Sequence, residues 1–177
     1  MKKLIALLLC FVALCAVPAF AMVPKNTPKP TATTEPEEAT LQTDEASFQI
    51  FYMYVMDKLN QSYDYDVIDR TEGKKYEYVT VTLSPYCTGM ITVKNSEIVD
   101  ILILGLGDGT KASGSGIMST MIATVMSVDA SVSLSDATEI VLNLVSTQGT
   151  YSSECCTYEL SISDSIGTMF TVKPLEK

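Results

Sequence analysis

Three alternating apolar runs follow one another between Tyr76 and Leu104, and they leave this chain few ways to fold. Tyr76 to Ser84, Thr88 to Lys94 and Ile98 to Leu104 each have strand length and β-branched content. Pro85 breaks pairing just before Cys87, and Asn95-Ser96 is the turn between the second and third runs. Ahead of them, Tyr63 to Arg70 alternates in the same way and is joined to the first run by Thr71-Glu72-Gly73-Lys74-Lys75, the signature of a hairpin. With a symmetric turn, Tyr63, Tyr65 and Val67 share one face with Val79, Val81 and Leu83. Asp64, Asp66, Ile68, Tyr76, Tyr78, Thr80 and Thr82 then share the other. This is the half-buried alternation of an antiparallel sheet. Ile98 to Leu104 is apolar at nearly every position, so it is expected to be buried on both faces, with helices on at least one side.

Helical periods flank the strands. Thr43 or Asp44 is placed to cap a helix carrying Phe48, Phe51, Tyr52, Val55, Met56 and Leu59. Further on, Ile117, Met118, Met121, Ile122, Val125 and Met126 form one stripe. Ala137, Ile140, Val141, Leu144 and Val145 form another, opened by Ser135 or Asp136 as cap with Glu139 in the first turn. Two last strands are expected at about Tyr151 to Ser163 and Met169 to Lys173. The reading is one α+β domain over 44–177, an antiparallel sheet of about six strands packed with three helices in the order α-ββββ-αα-ββ. Layouts of this kind resemble small exported accessory modules such as PepSY-like and cystatin-like domains, a likeness of fold that carries no function.

Residues 1–21 have the layout of a secretory signal of the bacterial kind. Lys2 and Lys3 precede the apolar stretch Leu4 to Val17, and Ala19-Phe20-Ala21 is an A-x-A cleavage site. Once that signal is cleaved, the protein is expected in the cell envelope or outside the cell with no membrane insertion; Leu4 to Ala21 kept as an uncleaved anchor is the rival reading. Residues 22–43, rich in Pro, Thr and Glu and poor in large apolar side chains, read as a disordered linker. Losing Lys2 and Lys3 from twelve basic groups set against twenty-one acidic ones leaves a net charge of about −11. Such a surface repels phosphate backbones, so nucleic acid is excluded as a partner.

The chain has no histidine. That removes Ser-His-Asp and Cys-His hydrolysis, His-ligated zinc and the usual neutral-pH general base. No serine stands three residues before a lysine, so S-x-x-K chemistry lacks its signature as well. Asp64, Asp66 and Asp69 are spaced like calcium ligands. They lack the sharp-turn glycine and the closing bidentate glutamate, and they read as a solvated strand face.

Outside the signal the cysteines are Cys87, Cys155 and Cys156. Strand parity places Cys156 inside with Tyr158, Leu160 and Ile162, and turns Cys155 to water or to another layer. Cys155 and Cys87 are the candidates for a disulfide, and a redox pair between the adjacent cysteines is the alternative, at the cost of a strained ring.

Gly105 to Gly116 (GLGDGTKASGSG) sits between a strand and a helix, where a phosphate cradle would be. It matches neither G-x-x-x-x-G-K-[ST] nor G-x-G-x-x-G, and Asp108 opposes an anion, so it reads as a connection. From Tyr86 to Val145 the chain resembles the FMN-binding domain of exported flavoproteins. The likeness lies in the TVKNSEIVDI hairpin, the GLGD turn, and VDASVSLSDAT before a helix. That family carries flavin on the threonine of Ser-Gly-Ala-Thr through a phosphate ester. The resemblance implies flavin on Thr138, with Asp108 and Lys111 as further contacts. Here the motif is Ser135-Asp136-Ala137-Thr138, an anion standing where the family has glycine.

Two functions follow. The first is an exported, non-catalytic module without a cofactor, binding an envelope or extracellular protein or a small ligand. Its expected contact surface is the sheet face carrying Asp64, Asp66, Tyr76 and Tyr78, provided no helix covers it. The second is a flavin-dependent redox protein modified at Thr138.

Overall fold

The structure, a computed structural model, describes residues 38–175. The expected signal and the linker up to residue 37 lie outside the described residues. The element order is α1 (Glu45–Lys58), β1 (Asp66–Glu72), β2 (Glu77–Ser84), β3 (Cys87–Lys94), β4 (Glu97–Gly105), α2 (Lys111–Val128), α3 (Leu134–Thr147), β5 (Thr150–Ser152), β6 (Cys156–Ser163) and β7 (Gly167–Pro174). All strands pair antiparallel in one sheet of order β1-β2-β3-β4-β7-β6-β5. The expected α-ββββ-αα-ββ order holds, with seven strands instead of six. The extra strand arises because the run from Tyr151 to Ser163 folds back on itself. Ser153 donates its N–H to the Cys156 carbonyl at 2.8 Å, and its hydroxyl accepts from the Cys156 N–H at 3.1 Å. Thr150–Ser152 therefore pairs with Thr157–Glu159. The polar Ser152-Ser153-Glu154 run is a turn signal inside what otherwise reads as one long strand.

The helices cover one face of the sheet. Val79, Val81 and Leu83 from β2, Ile91 and Val93 from β3, and Ile98, Ile101 and Ile103 from β4 point into a single core. Phe170 and Val172 from β7 and Tyr158 and Leu160 from β6 complete it. From the helices come Phe48, Tyr52, Val55, Met56, Ile117, Met121, Val125, Ala137, Val141 and Leu144. Alternate residues of the same strands face the other way and are half-buried or exposed, apart from Thr92, which is 5% exposed beside Asp100. β4 is accordingly buried on its helix side only, and Leu102 and Leu104 are half-buried on a side over which no described helix lies. Val67 lies on the helix side of β1, opposite Val81, yet stays 48% exposed because the helical layer ends before the sheet edge.

Three caps set the helix starts. Asp44 accepts from the Ser47 N–H at 2.7 Å and opens α1. Thr110 opens α2, accepting from the Ser113 N–H at 3.2 Å. Ser133, two residues before the expected Ser135, opens α3, accepting from the Asp136 N–H at 3.2 Å and donating to the Asp136 carboxylate at 2.7 Å. This reciprocal exchange is the logic of a capping box with Asp in the third position.

The glycine-rich stretch divides between two elements. Only Leu106 to Thr110 is loop, and Lys111 to Gly116 already belongs to α2. Gly105 is required by close packing, since an added Cβ would stand 2.9 Å from Ile117 Cγ2. Gly109 has φ +83°, a left-handed conformation that glycine adopts without penalty.

α2 is buried almost all round, between the sheet and its two flanking helices. Two of its buried hydroxyls turn back on the helix: Thr124 Oγ1 donates to the Thr120 carbonyl at 2.8 Å, and Ser127 Oγ to that of Ala123 at 2.7 Å. Tyr52 ties three elements together from α1. Its hydroxyl donates to the Leu83 carbonyl at 2.9 Å and stands 3.3 Å from Thr120 Oγ1, which in turn donates to Ser84 Oγ at 3.3 Å. Replacing Tyr52 with phenylalanine keeps the ring and removes the buried bond to the Leu83 carbonyl, which is left with the longer one from the Asp64 N–H at 3.2 Å. Equilibrium urea unfolding is expected to show a loss of about 1–2 kcal/mol with an unchanged m-value.

Candidate interaction surface

The cross-strand register writes the uncovered face as rows. One row runs Asp66, Thr82, Thr88, Leu104, Met169, Ser161. The next runs Asp69, Thr80, Met90, Leu102, Thr171, Glu159, Thr150. A third holds Thr71, Tyr78, Thr92 and Asp100. Threonine suits such a surface because its branched side chain packs on the pleat while its hydroxyl meets water. At the centre of the face Met90, Leu102, Leu104 and Met169 are half-buried against one another's strands. Its β1 margin is acidic.

The residues singled out from the sequence share this surface without forming one pocket. Asp66 lies opposite Thr82 at one end of β2. Tyr78 is four residues along, about 13 Å away at the rise of a strand, and Tyr76 is two residues further. Asp64 precedes β1 and donates its N–H to the Leu83 carbonyl at 3.2 Å, with its side chain exposed. A bulge between Val67 and Asp69 puts Asp69, in place of the expected Ile68, opposite Thr80. Tyr78 is 38% exposed. The hydroxyl of Tyr76 is engaged, donating to Glu38 at 2.7 Å.

Glu38 and Asp100 escaped the sequence reading. Residues 38–43, expected as the end of the linker, are laid along the start of β4: the Leu41 N–H donates to the Ile98 carbonyl at 2.8 Å, and the Ile98 N–H to that of Thr43 at 2.9 Å. Leu41, 5% exposed, is the apolar anchor that the linker composition concealed. Glu38 thereby reaches Tyr76, Lys94 Nζ at 3.0 Å and Lys75 Nζ at 3.5 Å. Asp100, the one charged residue in the apolar run Ile98 to Leu104, accepts from Thr92 Oγ1 at 3.0 Å. Burial pushes its carboxyl up, against the opposing pull of Thr92 and Lys173.

The edges of the sheet are poor templates for an added strand. β1 is exposed throughout, and its Val67 and Ile68 are interrupted by the bulge and flanked by Asp66, Asp69, Arg70 and Glu72. β5, at the other edge, has three residues.

The remaining expected sites do not assemble. α2 runs for 18 residues, about 27 Å at the helical rise, and α3 returns beside it after a short loop. Asp108 and Lys111 lie at the start of α2, and Thr138 lies beside its far end. Thr138 Oγ1 donates to the Leu134 carbonyl at 2.7 Å, on a helix surface shared with Ser135, Glu139 and Leu142. Asp108 serves the N-terminus of α2, accepting from the N–H of Thr110 at 3.0 Å and from its hydroxyl at 2.6 Å. Those bonds from Thr110, with Ser113 beside them, hold its carboxyl down at about 2. The end of the helix that could bind a phosphate is thus supplied with a carboxylate of its own.

Cys87 and Cys155 are not brought together either. Through Gly105 and Thr168, Cys87 is level with Ile162, whereas Cys155 lies beyond the opposite end of β6. Six residues of strand separate those levels, about 20 Å, far beyond the Cα separation of a disulfide. Cys156 is buried with Tyr158 and Leu160, as its parity indicates, whereas Ile162, expected with them, is 42% exposed near the far end of β6; Cys155 is exposed in the β5–β6 turn. Among the described residues, no group of three or more Cys, Asp or Glu is placed to hold a metal ion. No described helix is long and apolar enough to cross a membrane.

No family model, no curated protein and no solved structure matches this chain.

Glu38 also makes the surface sensitive to acid. The Tyr76 hydroxyl, and then Lys94, lower its carboxyl from an ordinary 4.5 to about 2. A group depressed in the folded state contributes stability above its unfolded pKa and loses it as pH falls through the folded one. The contribution of Glu38 is therefore complete above about pH 4.5 and lost toward pH 2. Thermal melts across that range are expected to show a decline that is shallower in Glu38→Gln than in the parent.

Proposed function

We propose that this domain is a non-catalytic binding module, exported from the cell, that contacts a partner protein through the open face of its sheet. The observation that carries this reading is the one-sidedness of the fold. Three helices lie on one face of a seven-stranded sheet, and the other face keeps half-buried Met90, Leu102, Leu104 and Met169 with no helix of the described residues over them. An apolar centre inside a polar rim is the composition of a protein contact surface. The chain's missing histidine argues for binding over hydrolysis, and its signal layout argues for an envelope or extracellular location.

Charge narrows the partner. The protein carries a net −9, and Asp66, Asp69 and Glu159 stand in the rows of the open face. The complementary surface is a protein patch with apolar side chains at its centre and Lys or Arg around it. Such charges steer association and set its salt dependence more than its final strength.

A photoreactive phenylalanine analogue at Tyr78, on the open face, and at Leu142, on the outer side of α3, tests the surface in the producing cell. The expected result is one discrete crosslinked protein from Tyr78 and none from Leu142. Once purified, that partner should bind more weakly as salt rises, and several-fold more weakly to the double variant Asp66→Asn, Asp69→Asn. Crosslinks from Leu142 alone, or binding indifferent to salt and to both substitutions, would reject the open face as the contact surface.

A further inference from the structure

The β5–β6 turn gathers side chains that the open face does not use. Cys155 and Cys156 are free thiols with sulfurs 3.2 Å apart. The Cys155 thiol donates to Asp129 Oδ2 at 3.1 Å, and Asp129, at the C-terminal end of α2, is 5% exposed. The same carboxylate oxygen accepts from Ser153 Oγ at 3.1 Å, and its other oxygen accepts from Ser131 Oγ at 2.6 Å and from the Ser131 N–H at 3.1 Å. Tyr158, fully buried beside them, has a hydroxyl with no hydrogen-bond partner among the described residues, although Cys156, Asp129 and Ser153 are its neighbours. Leaving a buried hydroxyl unsatisfied costs about 1–3 kcal/mol, a cost that phenylalanine would avoid in a corner with only a packing role.

We propose that Cys155 and Cys156 are a redox modification site, a vicinal thiol pair oxidised to an intramolecular disulfide by a low-molecular-weight disulfide outside the cytoplasm. Cys155, the exposed member, reacts first. It loses its proton to solvent, and its thiolate displaces one thiolate from the incoming disulfide, leaving a mixed disulfide on Cys155. Cys156 then loses its proton and attacks the Cys155 sulfur, which releases the second thiolate. Two cysteine thiols are oxidised, one external disulfide is reduced to two thiols, and the two protons end on the thiols released.

The geometry suits a labile bond. The sulfurs need to close only from 3.2 Å to the roughly 2.0 Å of a disulfide. Adjacent Cα atoms are about 3.8 Å apart across a trans peptide, shorter than the roughly 4.4–6.8 Å of an unstrained bridge. The product is therefore strained and readily reduced, as regulatory disulfides are and structural ones are not. Residues 153–155 lie between strands and can absorb the rotation. The bond in the way is that from the Leu175 N–H to the Cys155 carbonyl, at 2.8 Å. Closing the ring also withdraws the Cys155 thiol from Asp129, which leaves the Ser153 hydroxyl as the turn's remaining side-chain bond to the end of α2. Burial first, with the Asp129 charge adding to it, holds both thiols above the ordinary cysteine range. Exchange at neutral pH is accordingly slow, because only the thiolate attacks.

The test exposes the folded full-length protein to oxidised glutathione, quenches in acid, denatures without reductant, alkylates, and reads each cysteine by peptide mapping. Before oxidation Cys87, Cys155 and Cys156 all accept label. Afterwards Cys87 is expected to remain labelled, with Cys155 and Cys156 unlabelled and joined in one peptide that reduction restores to two labelled thiols. In Cys156→Ser the expected product is a stable glutathione adduct on Cys155. Full labelling of Cys155 and Cys156 after oxidation, a lasting glutathione adduct on Cys155 of the unmutated protein, or a dimer linked through Cys155 would each overturn the assignment.

Discussion

The burial of α2 on three sides is the contact on which the rest of the domain depends. A helix pressed against a sheet and flanked by two others needs side chains small enough for close approach and polar groups that can be satisfied in place. Ser119, Thr120, Ala123, Thr124 and Ser127 meet the first need. The hydroxyls of Thr124 and Ser127 meet the second through bonds to carbonyls one turn back. α1 and α3 dock on that helix, and the layer they form closes one face of the sheet, the only face that the described helices cover. The open face is a consequence of where α2 lies.

The same arrangement sorts the chemistry of the chain. Aromatic and branched apolar groups are consumed between helices and sheet, where each fully buried large side chain contributes about 1.5–3 kcal/mol. Threonine, methionine and carboxylate remain on the other side. The margins are made unattractive to a further strand by charge, a bulge and brevity, so association is directed to the face and away from the edges. Glu38 fastens the incoming chain to one end of that face, next to Tyr76 and Lys94. The vicinal thiols lie elsewhere, where the β5–β6 turn meets the end of α2, so a change there acts on the helical layer.

Much of this could be read in the residues, and the misreadings have physical causes. The first four strands and their parity follow from alternation, because period two has one meaning wherever one face is buried. The stripe Ile117, Met121, Val125 marked α2, but its serines and threonines gave no sign of burial. Those residue types serve equally in solvent or in a core once their hydroxyls turn back on the helix. Residues 38–43 read as linker because Pro, Thr and Glu dominate their surroundings, and one buried leucine, Leu41, is enough to dock them. Asp100 was visible as the one charge in an apolar strand. Its partner Thr92 was not, since only the register brings them opposite each other.

The sequence by itself determined the element types and their order, the parity that buries Cys156, and the absence of histidine chemistry. All of these depend on neighbours within a few positions along the chain, or on composition. Tertiary structure alone decided that the helices share one side of the sheet and that Asp66 and Tyr78 lie on one surface about 13 Å apart. It also separated Cys87 from Cys155, Asp108 from Thr138, and brought Asp129 to the vicinal thiols. Those distances are set by the packing of α2 and by the register of strands far apart in the chain, and no local pattern of residues encodes either.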